Sequence, residues 1–274
     1  MSEGVHPGPA VLTREPVLKQ IFRLGFESSS PSRRTKGAVS VREFHINKQF
    51  EMRNRIICAL RPDAQAFLAQ RALTRPVQAG ELICEQDQPF THAVFPHEGV
   101  LSLMADMQDG RSVEKTSIGL EGFLGFVLLM GGSGALSRTV VQVPGYASWI
   151  SIADLDTALE TFPCVRKTML RYAKLLITQT MESVACISLH RAEQRVSRWL
   201  LHAHDRVRGD AFQITQQSVS EVLGLRRATV NEVCSRLQND GVLIYARGAL
   251  TILDRAGLER RACECYNRIQ RLSL

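Results

Sequence analysis

The sequence predicts an α+β protein: a small sandwich or barrel of short strands, one long helix, and a C-terminal helical unit closed by a β-hairpin. Three observations carry this. Between residues 73 and 155, glycine or proline recurs about every 8–12 residues, with short β-rich runs between. After Pro163 no glycine or proline interrupts the chain to about Leu189, a helix of 27 residues and about 40 Å. The last segment, residues 190–274, holds 14 arginines, no lysine and 9 acidic residues, net +5.

Composition bounds the rest. The chain has 274 residues, formal charge +7 and 45% hydrophobic residues, which is globular. No uncharged apolar run reaches the roughly 18 residues of a membrane span, so no membrane partner is expected. The N-terminus lacks a basic start followed by an apolar stretch, so no signal peptide is read. Seven dispersed cysteines fit a reducing cytoplasm better than a disulfide framework.

In chain order, residues 1–51 read as a flexible extension, with Pro7, Pro9, Pro16, a Ser/Arg-rich run at 28–34 and one short amphipathic piece at 17–24. The structured pattern starts at Met52, itself a candidate start of the protein. Helices are expected from Pro62 to Ala72 and from Asp154 to Leu159. Strands are expected at 82–85, 92–96, 100–107, 113–118, 139–143 and 147–152, with Asp109-Gly110 as a hairpin turn. Residues 131–134 form a glycine-rich loop without the lysine of a phosphate-binding P-loop. In the long helix, Val165, Met169, Leu170, Ala173, Leu176, Ile177, Met181, Val184 and Ile187 make a stripe wide enough for its own domain and a second helix. That points to a homodimer seam. The domains expected are 1–51, 52–162, 163–189 (dimerisation helix) and 190–274.

The C-terminal unit carries the function. Ala192–Arg206 is a helix with Val196, Trp199, Leu200 and Ala203 on one face. Thr215 caps a second helix that buries Val219, Val222 and Leu223. Gly224-Leu225 turns the chain into a third, where Val230, Val233 and Leu237 are buried and Arg227, Ala228, Asn231, Glu232, Ser235 and Arg236 face outward. Two strands, 242–246 and 249–253, flank Arg247-Gly248 as a basic wing. Two helices, a glycine turn, an arginine face and a wing form a layout that fits the major groove of double-stranded DNA.

This stretch, ITQQSVSEVLGLRRATVNEVCSRLQNDGVLIYARGALTILD, resembles the DNA-binding domain of Crp/Fnr-type transcription regulators, and the likeness extends over about residues 55–255. The resemblance implies a cyclic-nucleotide-binding-type β-roll, a dimerisation helix and a winged helix-turn-helix. It implies a homodimer on a symmetric operator, contacting RNA polymerase when it activates, and no enzymatic activity. By resemblance, Arg227 reads a guanine, Thr229 contacts phosphate, and Gln216 and Gln217 contact the backbone. Arg226 adds a phosphate contact, Asn231 is a candidate adenine reader, and Arg236 and the wing-tip Arg247 complete the surface. Ala228 stands where many relatives carry an acidic base reader. The effector position falls on Gly125, Phe126, Arg138 and Thr139. Arg138-Thr139 matches the family's phosphate pair, but Phe126 replaces the ribose-binding carboxylate, so cyclic AMP is not expected to bind in the usual way.

No cofactor and no metal are expected. Only Cys58 and Cys84 lie in the N-terminal half, too few for an iron–sulfur centre. Cys263 and Cys265, two apart on an expected helix, should diverge. His202 and His204 do not share a face, and His92 and His97 lack metal-binding spacing. The competing reading is a β-barrel enzyme or small-ligand-binding protein with a helical tail; it leaves the arginine face unexplained.

Overall fold

The computed structural model describes residues 50–132, 134–246 and 248–271. The expectations for 1–49, including the amphipathic piece at 17–24, therefore lie outside the described residues, as does Arg247. A short helix, α1 (Arg55–Cys58), starts at a buried Asn54. The Asn54 side chain accepts from the Ile56 and Ile57 amides and donates to the Pro96 and Gly122 carbonyls at 2.8 and 2.7 Å. Next comes α2 (Pro62–Arg71), opened by its proline.

Five antiparallel strands follow: β1 (Leu73–Val77), β2 (Leu82–Cys84), β3 (His92–Asp106), β4 (Ser112–Ile118) and β5 (Arg138–Ser151). Their order is β1-β5-β3-β4, with β2 also paired to β5. The turn after β3 is a hairpin, with the Met107 amide donating to the Arg111 carbonyl at 2.8 Å.

Two differences from the pattern reading have physical causes. The sequence assigns no strand to 73–77, because Arg75 and Pro76 break the apolar run. β1 is an edge strand paired only to β5, where a missing ladder donor is tolerated. And the strands expected at 92–96 and 100–107 are one strand, as are those at 139–143 and 147–152. Gly99 and Gly145 bend the ladder rather than end it. A Cβ on Gly145 would sit 2.1 Å from the Glu98 carbonyl, and one on Gly99 2.5 Å from that of Val143. The register shifts between Glu98 and Val100 at this crossing.

Helix α3 (Ile152–Thr161) leads into α4 (Pro163–Leu189), with the bounds its proline and its uninterrupted pattern require. One face of α4 is buried through Val165, Met169, Tyr172, Leu175 and Leu176. Leu170, Ile177, Met181, Val184 and Ile187 are exposed. Among the described residues no helix is long and apolar enough to cross a membrane.

The C-terminal unit comprises α5 (Ala192–His204), β6 (Ala211–Gln213), α6 (Gln216–Leu223), α7 (Arg227–Asn239), β7 (Leu243–Ala246), β8 (Ala249–Ile252), α8 (Arg255–Arg261) and α9 (Cys265–Gln270). The expected two-stranded wing is a three-stranded sheet, β6-β8-β7. The core of this unit takes in Val100 and Val143 from the bend in the roll.

Polar anchors fix that contact. The buried Arg206 guanidinium pairs with Glu121 at 2.6 Å and donates to the Ser117 hydroxyl at 2.8 Å. His97 is buried too. Its Nδ1 accepts from the Arg53 and Asn54 amides, which leaves the proton on Nε2 to donate to Ser148 at 2.7 Å. Burial, then the nearby Arg53, lower its pKa to about 4, so it is neutral at physiological pH.

Candidate nucleic-acid interface

The turn between α6 and α7 is built by local chemistry. Thr215 Oγ1 accepts from the Ser218 amide at 3.0 Å and caps α6. Gly224 ends the helix at φ +60°, a left-handed conformation that a side chain would disfavour. The Leu225 amide then donates back to the Ser220 carbonyl at 2.9 Å, the closing bond of a Schellman turn. Val219, Val222 and Leu223 of α6 share a core with Val230, Val233, Cys234 and Leu237 of α7. Packing thus sets both the angle between the helices and the rotation of α7.

That rotation decides which groups meet solvent. Arg226, Arg227, Ala228, Asn231, Glu232, Ser235 and Arg236 are all exposed, and Thr229 is half-buried at the first turn. Gln217 is exposed and Gln216 half-buried at the start of α6. Asn231 and Arg236 lie further along α7, while Gln216, Gln217, Arg226, Arg227 and Thr229 sit at the N-terminal ends of α6 and α7. Backbone amides there already favour anions.

Their surroundings differ. Arg236 is braced by Glu232 at 3.2 Å and Glu193 at 3.4 Å, and Gln217 donates to Glu221 at 2.7 Å. Among the described residues, Arg226 and Arg227 lie in no ion pair. An arginine's planar fork held in water next to a helix N-terminus can accept a phosphate, or two acceptors on a guanine edge.

The sequence-derived effector residues are engaged within the roll. Arg138 grips Asp106 through two bonds of 2.7 Å each. That pairing, with a hydrogen bond from Ser112, lowers the Asp106 pKa to about 2. The buried Thr139 hydroxyl donates to the Ser137 carbonyl. Gly125 starts a short 3-10 turn, Phe126–Met130, at φ +110°. A cavity of about 190 Å³ opens instead beside Phe90, His92, Leu124 and Trp149, with neither Arg138 nor Thr139 in its wall.

One expectation needs correction. Cys263 and Cys265 do not diverge along a helix, because Cys263 lies in the turn between α8 and α9. Their thiols converge with those of Cys186 and the His190 ring, and all four ligand atoms lie within 4.8 Å of one another. Sequence reasoning missed the set because its members are up to 79 positions apart, and no local spacing signals it.

Comparison with known proteins bears on the same surface. Residues 194–261 match the model of the Crp-like helix-turn-helix domain. The chain is 25% identical to the transcriptional activator protein anr of Pseudomonas aeruginosa, over 66% of this chain and 76% of that one. It is 22% identical to the transcriptional regulatory protein btr of Bordetella pertussis, over 67% and 78%. In fold it resembles FixK2 from Bradyrhizobium japonicum, with TM-score 0.59 and 17% identity, covering 70% of this chain and 98% of that one.

Proposed function

We propose that the chain is a Crp/Fnr-type DNA-binding transcription regulator, in keeping with the Crp-like helix-turn-helix match over residues 194–261, and that it acts in the cytoplasm as a homodimer on a two-fold symmetric operator. It is a regulator rather than the β-barrel enzyme or ligand-binding protein of the competing reading. The observation that carries the proposal is the outward arginine face of α7, held in place by its buried stripe.

The work divides along the chain as 52–162 for the sensor roll, 163–189 for dimerisation and 190–274 for DNA. Leu170, Ile177, Met181 and Val184 follow spacings of 7, 4 and 3 residues and are exposed, which supports a coiled-coil seam between two copies of α4. The two copies of α7 then enter successive major grooves about 34 Å apart. Arg227 reads a guanine through O6 and N7. Arg226, Thr229, Gln216, Gln217 and the wing-tip Arg247 hold the phosphate backbone. Asn231 reads an adenine, and Arg236 adds charge at the far end of the face. In activation the dimer contacts RNA polymerase.

The roll does not hold cyclic AMP in the usual way. Asp106 already occupies the Arg138 fork, and Phe126 offers no acceptor to a ribose. Selection of binding sites from random duplex DNA tests the whole reading. A two-fold symmetric consensus with one guanine per half-site that loses its preference in Arg227→Ala is expected. Retention of charge-driven, sequence-indifferent binding alone would refute it.

A further inference from the structure

We propose that Cys186, His190, Cys263 and Cys265 form a tetrahedral site for one zinc-class divalent cation, and that this cation pins the joint between the long helix and the C-terminal unit. The four residues come from three places. Cys186 is in the last turn of α4, and His190 caps that helix, followed by Arg191, the N-cap of α5. Cys263 lies in the α8–α9 turn, and Cys265 opens α9. The site thus ties together the two helices that bend at residues 190–191 and the segment that follows the wing.

Two of the ligand-atom spacings match one ion's coordination shell, and all four atoms lie within 4.8 Å of one another. Cys186 Sγ and Cys263 Sγ are 3.5 Å apart, and Cys265 Sγ is 3.7 Å from His190 Nδ1. Metal–sulfur bonds of about 2.3 Å and metal–nitrogen bonds of about 2.0 Å place tetrahedral ligand atoms roughly 3.5–3.8 Å from one another. A cluster of several irons attaches its thiolates to separate irons and would spread them further. Three soft sulfurs and an imidazole select a zinc-class ion over calcium or magnesium, which take oxygen.

The surroundings are built in the same sense. The three cysteines make a small buried cluster of their own, separate from the two aliphatic cores. Cys234, by contrast, packs among valines and leucines as an ordinary small apolar residue. His190 Nε2 is 3.2 Å from the Glu264 carboxylate. That bond fixes the ring with Nδ1 toward the sulfurs, the usual outer-shell arrangement of a ligating histidine.

Charge is provided for as well. Three thiolates around a dication leave one negative charge. The buried Arg198 guanidinium bears on all three thiols, and its Nε has no hydrogen-bond partner among the described residues.

The test uses the full-length protein, purified under reducing conditions with no chelator. Elemental analysis is expected to find about one zinc per chain. Replacement by cobalt should give the thiolate-to-metal charge-transfer absorption and d–d bands of a tetrahedral thiolate site. Cys186→Ser and Cys263→Ser should lose stoichiometric metal, while Cys234→Ser keeps it. Glu264→Gln, which leaves every ligand in place, should weaken affinity about 10–100-fold. Reduced protein that takes up no zinc or cobalt when either is supplied would overturn the proposal. So would charge-transfer bands that survive Cys263→Ser, or a Cys186–Cys263 disulfide in place of metal. These readouts need no DNA, so failure here leaves the operator reading standing.

Discussion

Arginine does opposite work in two regions of this molecule. In the roll and at its contact with the C-terminal unit, guanidinium groups are held by carboxylates: Arg138 by Asp106, and the buried Arg206 by Glu121. On the leading turn of α7, Arg226 and Arg227 stand in solvent. The residue type is the same, and the difference is whether the fold supplies an anion. Where it does, arginine is a brace; where it does not, the guanidinium is left free to meet an anion from outside. At Arg138, which by resemblance matches a phosphate-binding position, the fold supplies Asp106 as the anion.

Six variants sharpen or break this contrast. The largest effect is expected at Arg206→Ala, which leaves Glu121 half-buried and unpaired; denaturant melts should show a loss of about 3–5 kcal/mol. A loss near zero would mean that Arg206 does not brace the contact. Next comes pH. Folded His97 stays neutral down to about pH 4, whereas an unfolded histidine protonates near 6.5. The unfolded chain binds the extra proton between those values. Stability is therefore full above about pH 6.5 and falls by up to about 3 kcal/mol as pH drops toward 4. In His97→Gln that segment of the pH profile should flatten.

In the proposed homodimer, Met181→Asp would put a carboxylate into the α4 seam. Sedimentation should show the dimer dissociation constant rising about 100-fold, equivalent to ~2.8 kcal/mol. An unchanged dimer would move the interface elsewhere. Arg227→Ala should cost about 1–3 kcal/mol of discrimination at one guanine per half-site in competition gel shifts. Arg226→Ala should instead weaken every sequence alike and reduce the salt slope by about one. The smallest effect is expected at Arg138→Ala. Its ion pair with Asp106 is partly exposed, so melts at neutral pH should move by under about 1 kcal/mol and DNA affinity should hold. What stability that pair gives Asp106 is present above its ordinary carboxylate range and disappears as pH falls toward 2.

Much of the architecture could be read from local pattern. Pro163 and an unbroken run set the limits of α4, and Thr215 and Gly224 set those of α6. The period of Val230, Val233 and Leu237 gave the outward face of α7. Each depends on residues within a few turns of one another. The strand ends did not follow, because Gly99 and Gly145 look like punctuation until each is seen opposite the other's strand. Nor did β6, whose three residues acquire strand character only by pairing with β8.

The amino-acid order by itself determined the helix-turn-helix, the two-faced long helix and the arginine-rich surface, since helical period and capping act over a handful of residues. Tertiary structure alone decided that Asp106 claims Arg138, that Glu121 claims Arg206, and that Cys186 and His190 meet Cys263 and Cys265. Those meetings join parts of the chain that no repeat connects. They arise from long-range pairing and packing: β3 lies beside β5, and α4 packs against α9.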